Sequence, residues 1–305
     1  MPEARVFRRA GRGKSAPPVR RGESGSRFAS PSLLLYRLSV RQCGAERAFI
    51  GCGRAGFIIA ALLVASMQHA WAQDARAIVQ ESQDRSRSGS EHYEGDLRVI
   101  GAKGKITEKR WRYDRIGSHG KSKAVLRFTA PAEVKGVALL ILNHPDRASD
   151  QWMWTPALER DRRIAFQDRS TRFFGTDFSF EDLEERDVSQ YDYKMLGDDT
   201  IDGAACWKIE SRPKEAKSSQ YNRSTVWIRK DHYVFVQIEN FKKDRLIRRA
   251  RYQNIENVQG IWSARTIEMA DLTAGSRTIL SLDKLQYNVP LKEEAFTLQA
   301  LRREQ

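Results

Sequence analysis

Residues Tyr233–Phe241 read YVFVQIENF. In an extended strand, alternate side chains share a face. One face then carries Tyr233, Phe235, Gln237, Glu239 and Phe241. The other carries Val234, Val236, Ile238 and Asn240. Both faces are partly apolar, which a sheet with one wet face does not need. Tyr191, Tyr193 and Met195 share a face in the same way, as do Trp152 and Trp154. Either helices cover both faces, or the sheet curls and one face lines an apolar cavity. An ordinary two-sheet sandwich core is the alternative to that cavity.

On either side of this stretch, extended segments are predicted at 191–196, 205–212, 224–229, 233–241, 246–255, 261–269 and 277–287. Turn signals separate them: Gly197-Asp198-Asp199, Asp202-Gly203, Lys230-Asp231-His232, Lys242-Lys243-Asp244, Gln259-Gly260 and Ala274-Gly275. An earlier series falls at 95–100, 106–116, 123–129, 137–142, 151–155 and 162–166. Short polar turns between regular strands predict a mainly β, antiparallel meander. Strands do not alternate with helices and no Gly-rich phosphate loop is present, which excludes a Rossmann-type sheet. Residues 74–88 predict one short amphipathic helix with Ala77, Ile78 and Val79 apolar.

The strand pattern stops between Asp168 and Arg186, in DRSTRFFGTDFSFEDLEER. Phe173-Phe174 and Phe178-x-Phe180 flank Gly175, and so many rings must bury against something. Ser179 and Asp182 have the spacing of a capping box for a short helix. The segment is either a loop packed across the sheet edge or a lid over an apolar cavity. In the lid reading Phe173, Phe174, Phe178 and Phe180 are cover residues, and Trp152, Trp154, Tyr191 and Tyr193 are wall residues.

Arg54–Gln73, RAGFIIAALLVASMQHAWAQ, has the layout of a secretory signal peptide. Its apolar run, Ala55 to Ser66, is too short for a bilayer span of about 20 helical residues. Ala70-Trp71-Ala72 predicts cleavage before Gln73, with residues 54–72 removed. Residues 1–53, rich in Arg, Gly, Ser and Pro, predict a disordered basic leader; a start codon assigned too early accounts for it. The chain has 53 basic and 39 acidic residues, a net charge of +14. Residues 1–72 hold 12 of the basic and 3 of the acidic ones, so residues 73–305 carry a net of only +5. That excludes the strong basic excess of a nucleic-acid binder but leaves a weak attraction to anionic membrane surfaces. Of three cysteines, Cys43 and Cys52 precede the cleavage point and Cys206 follows it.

Motifs for covalent or metal chemistry are missing. His92, His119, His144 and His232 do not form an HExxH pair, CxxC is absent, and so is a GxSxG elbow. Cys206 in AACWKIE reads as a small buried hydrophobe. His144 in LNHPD reads as a turn residue, and EDLEER as a solvated helix face. Arg160, Arg162, Arg163 and Arg169 read as a solvated strand edge, or as a docking patch for an anionic partner. No enzyme activity, metal or cofactor is expected.

Four segments in order resemble the LolA-like outer membrane lipoprotein-sorting family: FTAPAEVKGVALLIL, DQWMWTPALERDRRI, STRFFGTDFSFEDL and NVPLKEEAFTLQAL. The resemblance spans about residues 75–301. It departs at Phe173-Phe174, where relatives often have smaller residues. It implies a strongly curved antiparallel sheet of LolA/LolB type, an unclosed β-barrel with short covering helices, as a single carrier domain over 73–305. It also implies a periplasmic carrier of lipid or lipoprotein acyl chains between inner and outer membranes, without catalytic residues. An inner-membrane, efflux-type transporter is the implied partner. The alternative function is an accessory protein of such a transporter that holds no lipid.

Overall fold

The computed structural model describes residues 75–303; the predicted leader and signal peptide lie outside the described residues. Helix α1 covers residues 75–85. Its buried residues, Ala75, Ile78, Val79 and Ser82, follow helical spacing, while Ala77 is exposed.

All other major elements belong to one antiparallel sheet of thirteen strands. The first meander is β1 (Ser90–Ile100), β2 (Ile106–Ser118), β3 (Lys121–Ala130), β4 (Ala138–Leu142), β5 (Asp150–Thr155) and β6 (Arg160–Arg163). The second is β7 (Tyr191–Ile201), β8 (Ala204–Pro213), β9 (Arg223–Arg229), β10 (Phe235–Lys242), β11 (Arg245–Val258), β12 (Ile261–Asp271) and β13 (Ser276–Tyr287). Pairing of β1 with β13 joins the meanders, so β6 and β7 are the two free edges. These edges are consecutive along the chain, and residues 164–190 pass from one to the other. A short α2 (Leu298–Leu301) closes the described chain.

The sheet is an unclosed barrel, and side-chain reach shows how strongly it curls. Asp182 bonds Arg248 of β11 at 2.8 Å, and Glu184 accepts from Gln151 of β5 at 3.0 Å. Those strands are seven steps apart in the sheet order, about 34 Å if flat at ~4.8 Å per step. Asp182 and Glu184 are separated by at most about 7 Å of chain. Only a sheet folded round this segment lets both bonds form.

Curling gives the two faces different covers. Leu97, Trp111, Leu126, Phe128, Leu139 and Leu280 point into the trough and form the main core. Gly95 makes room there, since a Cβ would lie 2.4 Å from the Trp111 indole nitrogen and 2.7 Å from Leu280. On the outer face Val125, Ala138 and Leu140 pack with Phe296 and Leu301 of the C-terminal segment. The run at 137–142 is therefore apolar on both sides because both sides are covered.

Two local expectations are corrected. Gly197-Asp198-Asp199 is not a turn: β7 runs on to Ile201, with a register shift between Met195 and Gly197. The reversal falls at Asp202-Gly203, both with positive φ. Strict alternation also fails in YVFVQIENF. A bulge between Phe235 and Gln237 inserts a residue, so Phe235 and Ile238 both face inward while Val236 packs outward with Cys206 and Trp227.

Candidate functional site

The trough has a filled half and an open half. Phe173, Phe178 and Phe180 are buried in the main core against β1–β4 and β13. Phe173 stacks on Phe128 at 5.3 Å and meets Phe180 edge-on at 5.4 Å, and Phe178 lies 6.2 Å from Trp111. Half-buried Phe174 leans on Phe128 and Phe173. A tight reversal delivers these rings: Phe174 and Gly175 both have positive φ, and Phe173 N–H donates to Phe178 O at 2.8 Å. These residues fill the trough; they do not cover an empty one.

The acidic stretch behind the rings is buried as well, which corrects the expectation of a solvated helix face. Asp177 accepts from Ser276 and Thr278 of β13 at 2.5 and 2.7 Å and pairs with Arg172. Glu181 pairs with Arg186 and accepts from Ser219 and from the Gln220 N–H. Asp182 binds Arg248 and the Tyr221 hydroxyl at 2.8 and 2.7 Å. Ser179 and Asp182 exchange backbone-to-side-chain bonds as a capping box does, round a single 3-10 turn at Glu181–Leu183. Glu184 pairs with Arg169 at 3.1 Å, and Glu185 lies 3.3 Å from Arg115 of β2. Burial pushes the Glu184 carboxyl up from its usual range, against the pull of Arg186 and Arg169. The segment is thus tied to strands all round the trough.

The open half lies under α1. A cavity of about 230 Å³ is bounded by Val79, Tyr193, Phe235, Ile238, Tyr252 and Met269, with Tyr191, Glu181 and Arg186 at its polar end. A second hollow, about 580 Å³, shares Phe235 and Tyr252 with it and opens past Arg85, Tyr233 and Trp262. Burial pushes the Tyr252 phenol up to about 12, as expected of a dry wall. Trp262 is exposed at this mouth and stacks on His232 at 3.6 Å.

Helix α1 covers the cavity with few bonds. Ile78 and Val79 pack on Val188, Ile209, Val226 and Ile228. Gln83 Nε2 donates to Arg186 O at 2.9 Å, Ser86 Oγ meets His119 Nε2 at 3.1 Å, and the Arg85 guanidinium lies over the Tyr233 ring at 4.1 Å.

Tyr191 and Tyr193 therefore line the cavity. Trp152 and Trp154 do not. They flank inward-facing Met153 and pack on the outer face with the C-terminal segment. Alternation put the two tryptophans on one face, but only the C-terminal cover decides which face it is. Sequence reasoning missed Phe235, Tyr252 and Met269 as wall residues; the bulge in β10 hid the first. Cys206 is buried, and burial raises its thiol pKa, which disfavours the nucleophilic thiolate.

A family model described as "Uncharacterized protein" matches residues 120–303. Among solved structures, a candidate outer membrane lipoprotein-sorting protein domain from Vibrio parahaemolyticus is 26% identical with a TM-score of 0.72, covering 76% of this chain and 100% of its own. A DUF1329 family protein from Desulfovibrio piger is also 26% identical, with a TM-score of 0.72 and coverage of 76% and 99%. A LolA superfamily protein from Nitrosomonas europaea, 21% identical with a TM-score of 0.59 over 74% and 98%, shares the fold. No curated protein matches the chain.

Proposed function

We propose a carrier's role for this chain, which belongs to the LolA-like outer membrane lipoprotein-sorting family. On this reading it holds an acyl chain of a lipid or lipoprotein and moves it through the periplasm between inner and outer membranes. Residues 54–72 would be removed on export. The observation that carries the reading is the pair of hollows meeting at Phe235 and Tyr252 beneath α1. An acyl chain taken out of water gains about 0.8 kcal/mol per buried CH₂. A carrier must also let go, and that needs a weakly held cover. A three-turn helix is marginal by itself, and its two large buried aliphatic side chains, Ile78 and Val79, hold it with about 1.5–3 kcal/mol each. Helix α1 suits that part better than the ion-paired aromatic segment. No covalent step is required. Contact with the membrane surface is brief, and an inner-membrane transporter supplies or receives cargo.

The filled half of the trough favours a second reading, a transporter accessory that holds no lipid. Binding of a fluorescent fatty-acyl probe separates the two. Phe235→Asp puts a charge in both hollows and is expected to weaken probe binding about tenfold or more. Trp152→Ser, on the outer face, is expected to leave it unchanged. A wild-type protein that takes up no probe, or equal losses in both variants, would favour the accessory.

A further inference from the structure

Where the two free edges of the sheet approach, a groove of about 470 Å³ runs along the seam. One wall comes from the β4–β5 loop, β6 and the turn after it, with Arg147, Arg163 and Arg169. The other comes from the chain after β8, with Lys214 and Lys217. Gln190 stitches the walls together, donating to His144 O at 2.9 Å while its own carbonyl accepts from Lys214 N–H at 3.0 Å.

The groove's cations outnumber its anions. Its carboxylates are Asp146, Asp150 and Glu215. Asp150 already serves three groups, His144 at 3.0 Å, Arg147 at 2.8 Å and Arg163 at 2.5 Å. Arg169 is buried and bonds Glu184 and Ser149 O, yet its Nε has no partner among the described residues. Lys214 and Lys217 are exposed and pair with no carboxylate among the described residues. Two unpaired ammonium groups facing guanidinium groups across a groove attract multivalent anions, which can bridge both walls.

We propose that the seam groove binds a phosphate-bearing ligand, held between Arg163 and Arg169 on one wall and Lys214 and Lys217 on the other. The phosphate is either a lipid headgroup or free in solution. This inference does not depend on acyl binding under α1, because residues 184–191 separate the hollows: Glu184, Arg186 and Tyr191 line the inner one, Ser189 and Gln190 the seam.

The test compares full-length wild type with Lys214→Glu/Lys217→Glu, both exposed positions, after matched melting temperatures show that both are folded. Each is titrated with inorganic phosphate and sedimented with phosphatidylglycerol vesicles. Saturable phosphate binding that drops about tenfold or more in the variant supports the site with a free anion as ligand. Vesicle binding lost in the variant, without binding of free phosphate, supports it with a headgroup as ligand. Binding of neither, or equal binding by both proteins, overturns it. Acyl-probe uptake is expected to be the same in both proteins, so failure here and failure of the carrier reading are separate results.

Discussion

Phe173→Ala is expected to lower folding stability by about 3–5 kcal/mol, the usual cost of removing a buried ring. Phe173 is fully buried, and its ring meets Trp111, Phe128, Phe174 and Phe180. Neighbours on β2 and β3 are fixed by the sheet ladder, so the trough cannot collapse onto the space left behind. Denaturant unfolding measures the loss as a shifted midpoint with an unchanged slope. If Phe173 instead covered an empty barrel, as in the lid reading of the segment, its ring would leave water only when cargo is bound. Stability of the cargo-free protein would then barely change. The filled half of the trough thus predicts a large loss where a lid predicts a small one.

Arg248→Met is expected to cost a similar amount, about 3–5 kcal/mol, for a different reason. Arg248 is buried in β11, 2.8 Å from Asp182, 3.0 Å from the Tyr221 hydroxyl and 3.9 Å from Asp271. Methionine fills much of the same volume, so packing is nearly kept. What remains is a buried carboxylate on Asp182 without its cation. Adding Asp182→Leu removes that charge and is expected to restore part of the loss. A double-mutant cycle read by urea unfolding checks this. Additive losses would mean that the two residues do not act as a pair.

Most of the fold was legible in the sequence because its signals are local. Each of the thirteen strands overlaps a predicted extended segment, though β6 shares only residues 162–163 with its own, and many are bounded by turn residues that need positive φ, such as Asp202-Gly203 and Gln259-Gly260. Membership of the family likewise rests on ordered segments such as STRFFGTDFSFEDL. What escaped depends on partners far along the chain. The EDLEER stretch looks solvated until Arg115, Arg169 and Arg248 are brought to it from three places in the chain. Trp152 and Trp154 look like cavity walls until residues 291–301 cover their face. The β10 bulge exchanges faces within three residues, and period-two reading has no signal for it.

If the chain is a carrier as proposed, its acyl cargo lies between α1 and strands β10–β12. A photoactivatable palmitate, irradiated with the full-length protein and mapped by mass spectrometry, locates that cargo. Covalent labels are expected near Val79 on α1 and at Phe235, Tyr252 and Met269 on the facing strands, all competed by unlabelled palmitate. Labels at Trp152 and Trp154, or scattered labels that palmitate does not compete, would rule this placement out.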